Sequence, residues 1–152
     1  TNGDLKLAEG GSEGFSITTL DSEGDVGQWT SLAFLPDGSA AITYHDTTNQ
    51  HLKIAVKGPS GVSIGILDSG EWVGADSHLA ILPDGTVKVA YFDGKNNDLK
   101  LLSSAGGEIT ATTAVSKGAV GYYNDLGIAS DGSTSLCFYS FTERNYKYLR
   151  LK

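Results

Sequence analysis

Trp29, Trp72, Tyr122 and Tyr123 lie near polar groups at Asp76, His78 and Asn124. Aromatic faces beside hydrogen-bonding groups suit a shallow saccharide site: a ring covers the C–H face of a sugar while polar atoms take its hydroxyls. Several of these residues sit in a recurring frame, Val26-Gly27-Gln28-Trp29, Val73-Gly74-Ala75-Asp76 and Val120-Gly121-Tyr122-Tyr123. The Val-Gly pair is kept and the two residues after it change. That pattern fits connections held by a rigid scaffold, where binding residues concentrate. The competing reading is packing, with the rings filling space at a junction between sheets.

Other chemistry is less well supported. Asp46 and Asp93 recur with Lys53 and Lys100; the expected roles are an Asp that caps a turn and a Lys that serves as a cross-strand partner on a solvated face. His45, His51 and His78 fall at different places in the repeat described below, so no shared metal site is expected. Gly10-Gly11-Ser12-Glu13-Gly14 has the letters G-x-S-x-G, but no helical segment follows it to make the strand-to-helix elbow of a nucleophilic serine. Cys137, the one cysteine, can form neither an intrachain disulfide nor a Cys-rich zinc site. It aligns with Ala90 and is expected to be a small buried residue. No catalytic group, metal or cofactor is predicted.

The elements that must position these residues follow from internal repetition. Ser31-Leu-Ala-Phe-Leu-Pro-Asp-Gly38, His78-Leu-Ala-Ile-Leu-Pro-Asp-Gly85 and Asp125-Leu-Gly-Ile-Ala-Ser-Asp-Gly132 begin 47 residues apart. The strings beginning at Asn2, Asn49 and Asn96 and ending in Leu-Lys-Leu-Ala, Leu-Lys-Ile-Ala and Leu-Lys-Leu-Leu keep the same spacing. A fourth copy, Tyr148-Leu-Arg-Leu-Lys152, arrives about three residues late. A small insertion within 141–146 would explain the delay.

One period contains four short strands. Strand A covers Ser31 to Leu35 and stops at Pro36-Asp37-Gly38, a turn in which Pro presets φ and Gly accepts a positive one. Strand B alternates through Ala40, Ile42 and Tyr44, and its copies through Val87, Val89, Tyr91 and Thr134, Leu136, Phe138. Strands C and D carry Leu52, Ile54, Val56 and Val62, Ile64, Ile66. Four strands repeated every 40 to 50 residues mark β-propeller blades. The fold expected is all-β, one domain over 1–152, with repeats near 1–30, 31–77, 78–124 and 125–152. In order the strands run C-D, A-B-C-D, A-B-C-D, A-B-C, about three blades of four antiparallel strands. Three are too few to close a ring, so completion to a six-bladed ring by a second chain, or membership of a longer array, is expected. The lack of methionine and the start at Thr1 point to a processed or excised piece.

The segment from Ser31 to Ala55 resembles a propeller repeat of bacterial-type extracellular proteins, roughly S-L-A-x4-G-x3-I-x-Y-x-D followed by L-K-x-A. The third copy departs from it, with Ser140 where Asp46 and Asp93 stand and Ala129-Ser130 in place of Leu-Pro. Ser130-Asp131-Gly132-Ser133 is similar to the Asp-box of sialidases but lacks its spacing, and Arg144 and Arg150 are the only arginines. The resemblance implies architecture and an extracellular or cell-surface location rather than an activity.

A formal net charge of −7 without a Lys/Arg cluster argues against a nucleic-acid partner, and no apolar run is long enough to span a bilayer. The function expected is a non-catalytic, lectin-like carbohydrate-binding module that takes a glycan at Trp29, Trp72, Asp76, His78, Tyr122, Tyr123 and Asn124. The alternative is an assembly block of a cell-surface or virion-like particle; a glycoside hydrolase is a distant third.

Overall fold

The computed structural model describes residues 3–151. Asn2 and Lys152, which open the first and close the fourth of the Leu-Lys-type strings, lie outside them. The described residues form antiparallel β-sheets and no helix. The first sheet is β1 (Leu5–Gly11) and β2 (Gly14–Asp21). The second runs β3 (Val26–Phe34), β4 (Ala40–Asp46), β5 (His51–Gly58), β6 (Gly61–Asp68). The third repeats it with β7 (Val73–Ile81), β8 (Val87–Asp93), β9 (Asp98–Ala105) and β10 (Glu108–Val115). The fourth is β11 (Tyr122–Ile128), β12 (Thr134–Ser140) and β13 (Asn145–Leu151). The C-D, A-B-C-D, A-B-C-D, A-B-C order of the strands is thus the one observed.

Turn chemistry sets the hairpins. After β3, Leu35 and Ser39 close a tight turn in which Asp37 Oδ1 accepts the Ser39 amide at 2.9 Å, and Asp84 and Asp131 do the same for Thr86 and Ser133. After β4, Asp46 Oδ1 and Oδ2 accept the amide and side chain of Asn49, both at 2.9 Å, and Asp93 repeats this on Asn96. Capping is therefore what these aspartates do. In the fourth sheet Ser140 Oγ takes over, accepting the Glu143 amide at 3.2 Å.

Several sequence expectations change. Phe138 pairs with Lys147 as Tyr44 pairs with Lys53 and Tyr91 with Lys100. All three pairs are nine residues apart, so the period of 47 holds to β13 and there is no insertion. Tyr146-Lys147-Tyr148 occupies the place of Leu52-Lys53-Ile54, and aromatic substitution hid the match. Second, the Val-Gly frames of the second and third sheets are not loops: Val26 and Val73 already belong to strands β3 and β7, which bulge before they straighten at Ser31 and His78. Third, Cys137 is exposed, because no sheet among the described residues covers the face of β12 that it occupies.

Each junction between sheets has its own apolar core built from equivalent positions. Leu5 and Leu20 meet Val26, Ile42, Tyr44 and Ala55; Leu52 and half-buried Leu67 meet Val73, Val89, Tyr91 and Leu102; Leu99 meets Val120, Leu136 and Phe138. Each large aliphatic side chain removed from water contributes about 1.5–3 kcal/mol.

Beside the first two cores lies a polar lock. Asp21 Oδ2, at the end of β2, accepts Tyr44 Oη and Lys53 Nζ of the next sheet, each at 2.5 Å. Asp68 Oδ2 accepts Tyr91 Oη at 2.6 Å and Lys100 Nζ at 2.6 Å. Lys53 is only 6% exposed, so it does not lie on a solvated face; its partner comes from the preceding sheet rather than from the neighbouring strand. At the third junction the lock is gone. Val115 and Phe138 stand at the positions of Asp and Tyr, and Lys147 turns to Glu143 of its own hairpin at 2.5 Å.

Candidate functional site

Gly27, Gly74 and Gly121 have φ of 82°, 95° and 100°. A Cβ on Gly74 would stand 2.7 Å from Leu52 Cα, and one on Gly121 2.7 Å from the Asp98 carbonyl oxygen. Only glycine lets the start of each A strand press against the C strand of the preceding sheet. Two residues later Trp29, Asp76 and Tyr123 all adopt left-handed backbone, with φ of 49°, 54° and 48°. Such conformations are rare for large side chains and cost on the order of 1–3 kcal/mol each. Three chemically different residues are thus held in the same strained slot.

At the junction of the second and third sheets, Trp29 meets the His45 ring edge-on, with centroids 5.3 Å apart at 67°, and Trp72 stacks over the same ring at 6.2 Å and 24°. His45 is fully buried, while Trp29 and Trp72 are 42% and 47% exposed. Val73 O can only accept, so at 2.9 Å it fixes the proton on His45 Nδ1. Burial lowers the His45 pKa more than the Val73 carbonyl and nearby Asp46 and Asp25 raise it. The ring is neutral at pH 7, and its Nε2 is a buried acceptor without a protein partner. The result is two solvent-facing indoles bracketing an uncharged imidazole floor.

A second aromatic group lies at the next junction. Tyr122 packs on Phe92 at 3.9 Å, and Phe141 meets Tyr122 at 5.9 Å and Tyr139 at 4.9 Å. Tyr123, 63% exposed, lies 6.4 Å from Tyr139 and 6.3 Å from Phe141. Asn124 is a positioning residue: its Nδ2 donates to Asp76 O at 2.6 Å and to Gly121 O at 3.0 Å. Its amide donates to Asp76 Oδ2 at 3.2 Å. Its Oδ1 is buried without a partner. Ser77 Oγ makes the equivalent bond to Trp29 O at 3.0 Å, so each sheet clamps the strained residue of the one before.

The structure therefore brings Trp29 to Trp72, Tyr122 to Tyr123, and Asp76 to Asn124. His78 pairs with Asp125 at 3.2 Å along the A strands instead. His45, Phe92 and Tyr139 were missed as site residues. They lie 47 apart and all carry flat rings, a signal visible once the period is laid over the second face of strand B. Among the described residues no group of three His, Cys, Asp or Glu could hold a metal. A hollow of about 370 Å³ near Asp37, Ser39, Pro59 and Ser60 lies at the opposite end of the second sheet and has no aromatic wall.

No protein-family model matches the chain, and no curated protein matches it by sequence. Among solved structures, fourteen chains are similar. One is a fucose lectin from Kordia zhangzhouensis in complex with methyl-fucoside, with a TM-score of 0.55 and 9% identity over 80% of this chain and 91% of that one. At that identity the likeness shows a shared fold.

Proposed function

We propose that this chain is a non-catalytic, lectin-like module that binds carbohydrate at the junctions between its sheets. The observation that carries the reading is the Trp29–His45–Trp72 bracket. Two half-exposed indoles flank a neutral ring, which suits the C–H face of a sugar, and Gln28 on the same bulged stretch, 3.5 Å from Asp25 just before it, stands ready to take hydroxyls. The Tyr122–Tyr123 cluster is a second such surface. The architecture shared with a fucose lectin supports the reading without naming the sugar. Weak sites repeated around one scaffold gain avidity on a glycan-coated surface, in keeping with the extracellular propeller-repeat family that the sequence resembles.

Titration against a panel of neutral sugars and oligosaccharides tests this. At least one should bind, and Trp29→Ala or Trp72→Ala should weaken it by at least about tenfold, the equivalent of about 1.4 kcal/mol, with an unchanged far-ultraviolet spectrum. Absence of binding to every glycan at millimolar concentration would end the proposal.

A further inference from the structure

The two aromatic junctions present opposite hydrogen-bonding chemistry from the same positions. At the first, Trp29 and Trp72 supply indole N–H donors beside the neutral His45 ring. At the second, 47 residues on, Asp76 stands at the place of Trp29, Phe92 at that of His45 and Ala119 at that of Trp72. The backbone keeps the match: Ala119 O accepts the Phe141 amide at 2.9 Å, as Trp72 O accepts the Gly94 amide at 2.7 Å. The slot residue has become a carboxylate, the floor has lost its nitrogens, and the outer indole has shrunk to a methyl group. Asp98 also replaces His51 at the start of the C strand.

Asp76 is half-buried and makes no ion pair among the described residues. Lys95 and Lys147, on the hairpins of the same two sheets, are held by Glu71 and Glu143, each at 2.5 Å. The carboxylate accepts the Asn124 amide on Oδ2 at 3.2 Å, which leaves lone pairs on both oxygens. Asn124 Oδ1 is a second acceptor in the same place. Asn124 is 3% exposed, the two bonds of its Nδ2 fix which way the side chain points, and its Oδ1 meets no donor. An acceptor taken out of water keeps its desolvation cost until a donor enters. Half-buried Tyr122 lies over Phe92 with centroids 3.9 Å apart, so the wall at this junction is aromatic.

We propose that the second junction binds the protonated amino group of a de-N-acetylated amino sugar, with Asp76 as its counter-charge. The inference rests on the carbohydrate reading of the junctions and gives one of them a specificity of its own. An ammonium brings three donors from one centre together with a full positive charge. It meets the carboxylate in a charge-assisted bond and has hydrogens left for the Asn124 acceptor. The Tyr122 ring attracts a cation and covers the C–H face of the sugar that carries it. A hydroxyl at the same carbon brings one hydrogen and no charge. An acetamide replaces the cation with a single N–H and a methyl group. Both are weaker partners for a site made of acceptors.

Calorimetric titration with glucosamine, galactosamine and mannosamine, each beside its N-acetylated form and its neutral parent hexose, tests the proposal. At least one amine should bind about tenfold or more tightly than both of its counterparts, and the difference should shrink as salt is added. Asp76→Asn keeps the shape of the side chain, an acceptor for the Asn124 amide and a residue type that tolerates left-handed backbone. It should erase the preference, while Trp72→Ala at the other junction should leave it intact. The proposal is overturned if no amine is preferred, if the preference survives Asp76→Asn, or if methylammonium binds as tightly as the amino sugar. In each of those cases a neutral sugar whose binding depends on Trp72 leaves the carbohydrate reading standing. Failure of every sugar to bind removes both.

Discussion

Lys53→Ala lowers the free energy of unfolding by about 3–5 kcal/mol, the usual cost of removing one partner from a buried ion pair. Lys53 stands 2.5 Å from Asp21 Oδ2 and 3.6 Å from Asp46 Oδ2, and their side chains are 5% and 1% exposed. Without the ammonium, two carboxylates remain out of water and close together. The third junction shows how the same place works without charge, so Asp21→Val with Tyr44→Phe copies Val115 and Phe138. That double variant still leaves Lys53 with Asp46 and should cost no more than about 1–2 kcal/mol, since apolar replacement of buried ionic groups is often near neutral. Urea titration of both variants decides the matter; a Lys53→Ala loss no larger than that of the double variant would refute the account.

The lock also sets an acid response. Burial pushes the Asp21 carboxyl up, but bonds from Lys53, Tyr44 and the Glu23 amide outweigh it, and the net pKa lies below the ordinary aspartate value. A depressed folded pKa contributes stability that is complete above the unfolded carboxylate value, about 3.9, and disappears as pH falls through the folded one. The Asp21→Val, Tyr44→Phe variant should therefore lose less stability than wild type between pH 4 and the acid limit.

Gly74→Ala costs about 2–5 kcal/mol, from φ strain together with overpacking. At φ 95° the new methyl would meet Leu52 Cα and Cβ, both at 2.7 Å. Gly85 has a similar φ of 84° but open space around it, so Gly85→Ala isolates the strain alone and should cost about 1 kcal/mol. The larger effect reaches the site, because Val73 O next to Gly74 holds the His45 proton. Sugar affinity should fall with Gly74→Ala at temperatures where the variant is still folded, and equal melting shifts for the two variants would contradict this reading.

The strands could be read because alternation such as Ile42, Tyr44 and Val89, Tyr91 recurs at a fixed period, and because Pro-Asp-Gly turns interrupt it. The fourth C strand was misplaced because its Leu-Lys pattern was sought in letters, whereas register is set by the turn between Ser140 and Asn145, which keeps its length when Leu becomes Tyr. Trp29 and Trp72 were legible as exposed aromatics. Their shared partner was not: His45 sits on a face that looked moderately polar, and its burial depends on the neighbouring sheet. Lys53 shows the same gap, since nothing local reveals that Asp21, 32 residues earlier, will stand against it. Cys137 was aligned correctly with Ala90, but burial at that position depends on a following sheet, which the described residues do not include.

The strained slot at Trp29, Asp76 and Tyr123 leaves one more consequence. Its left-handed backbone goes with the glycine two residues earlier, joined at Trp29 and Asp76 by a clamp from the following sheet, and not with the side chain it carries. An indole, a carboxylate and a phenol are accepted there with φ within 6° of one another. Each junction is thus an interchangeable cassette. Recognition can diversify at one junction while the others keep their specificity, and a designer can write a new residue into position 76 without rebuilding the frame that presents it.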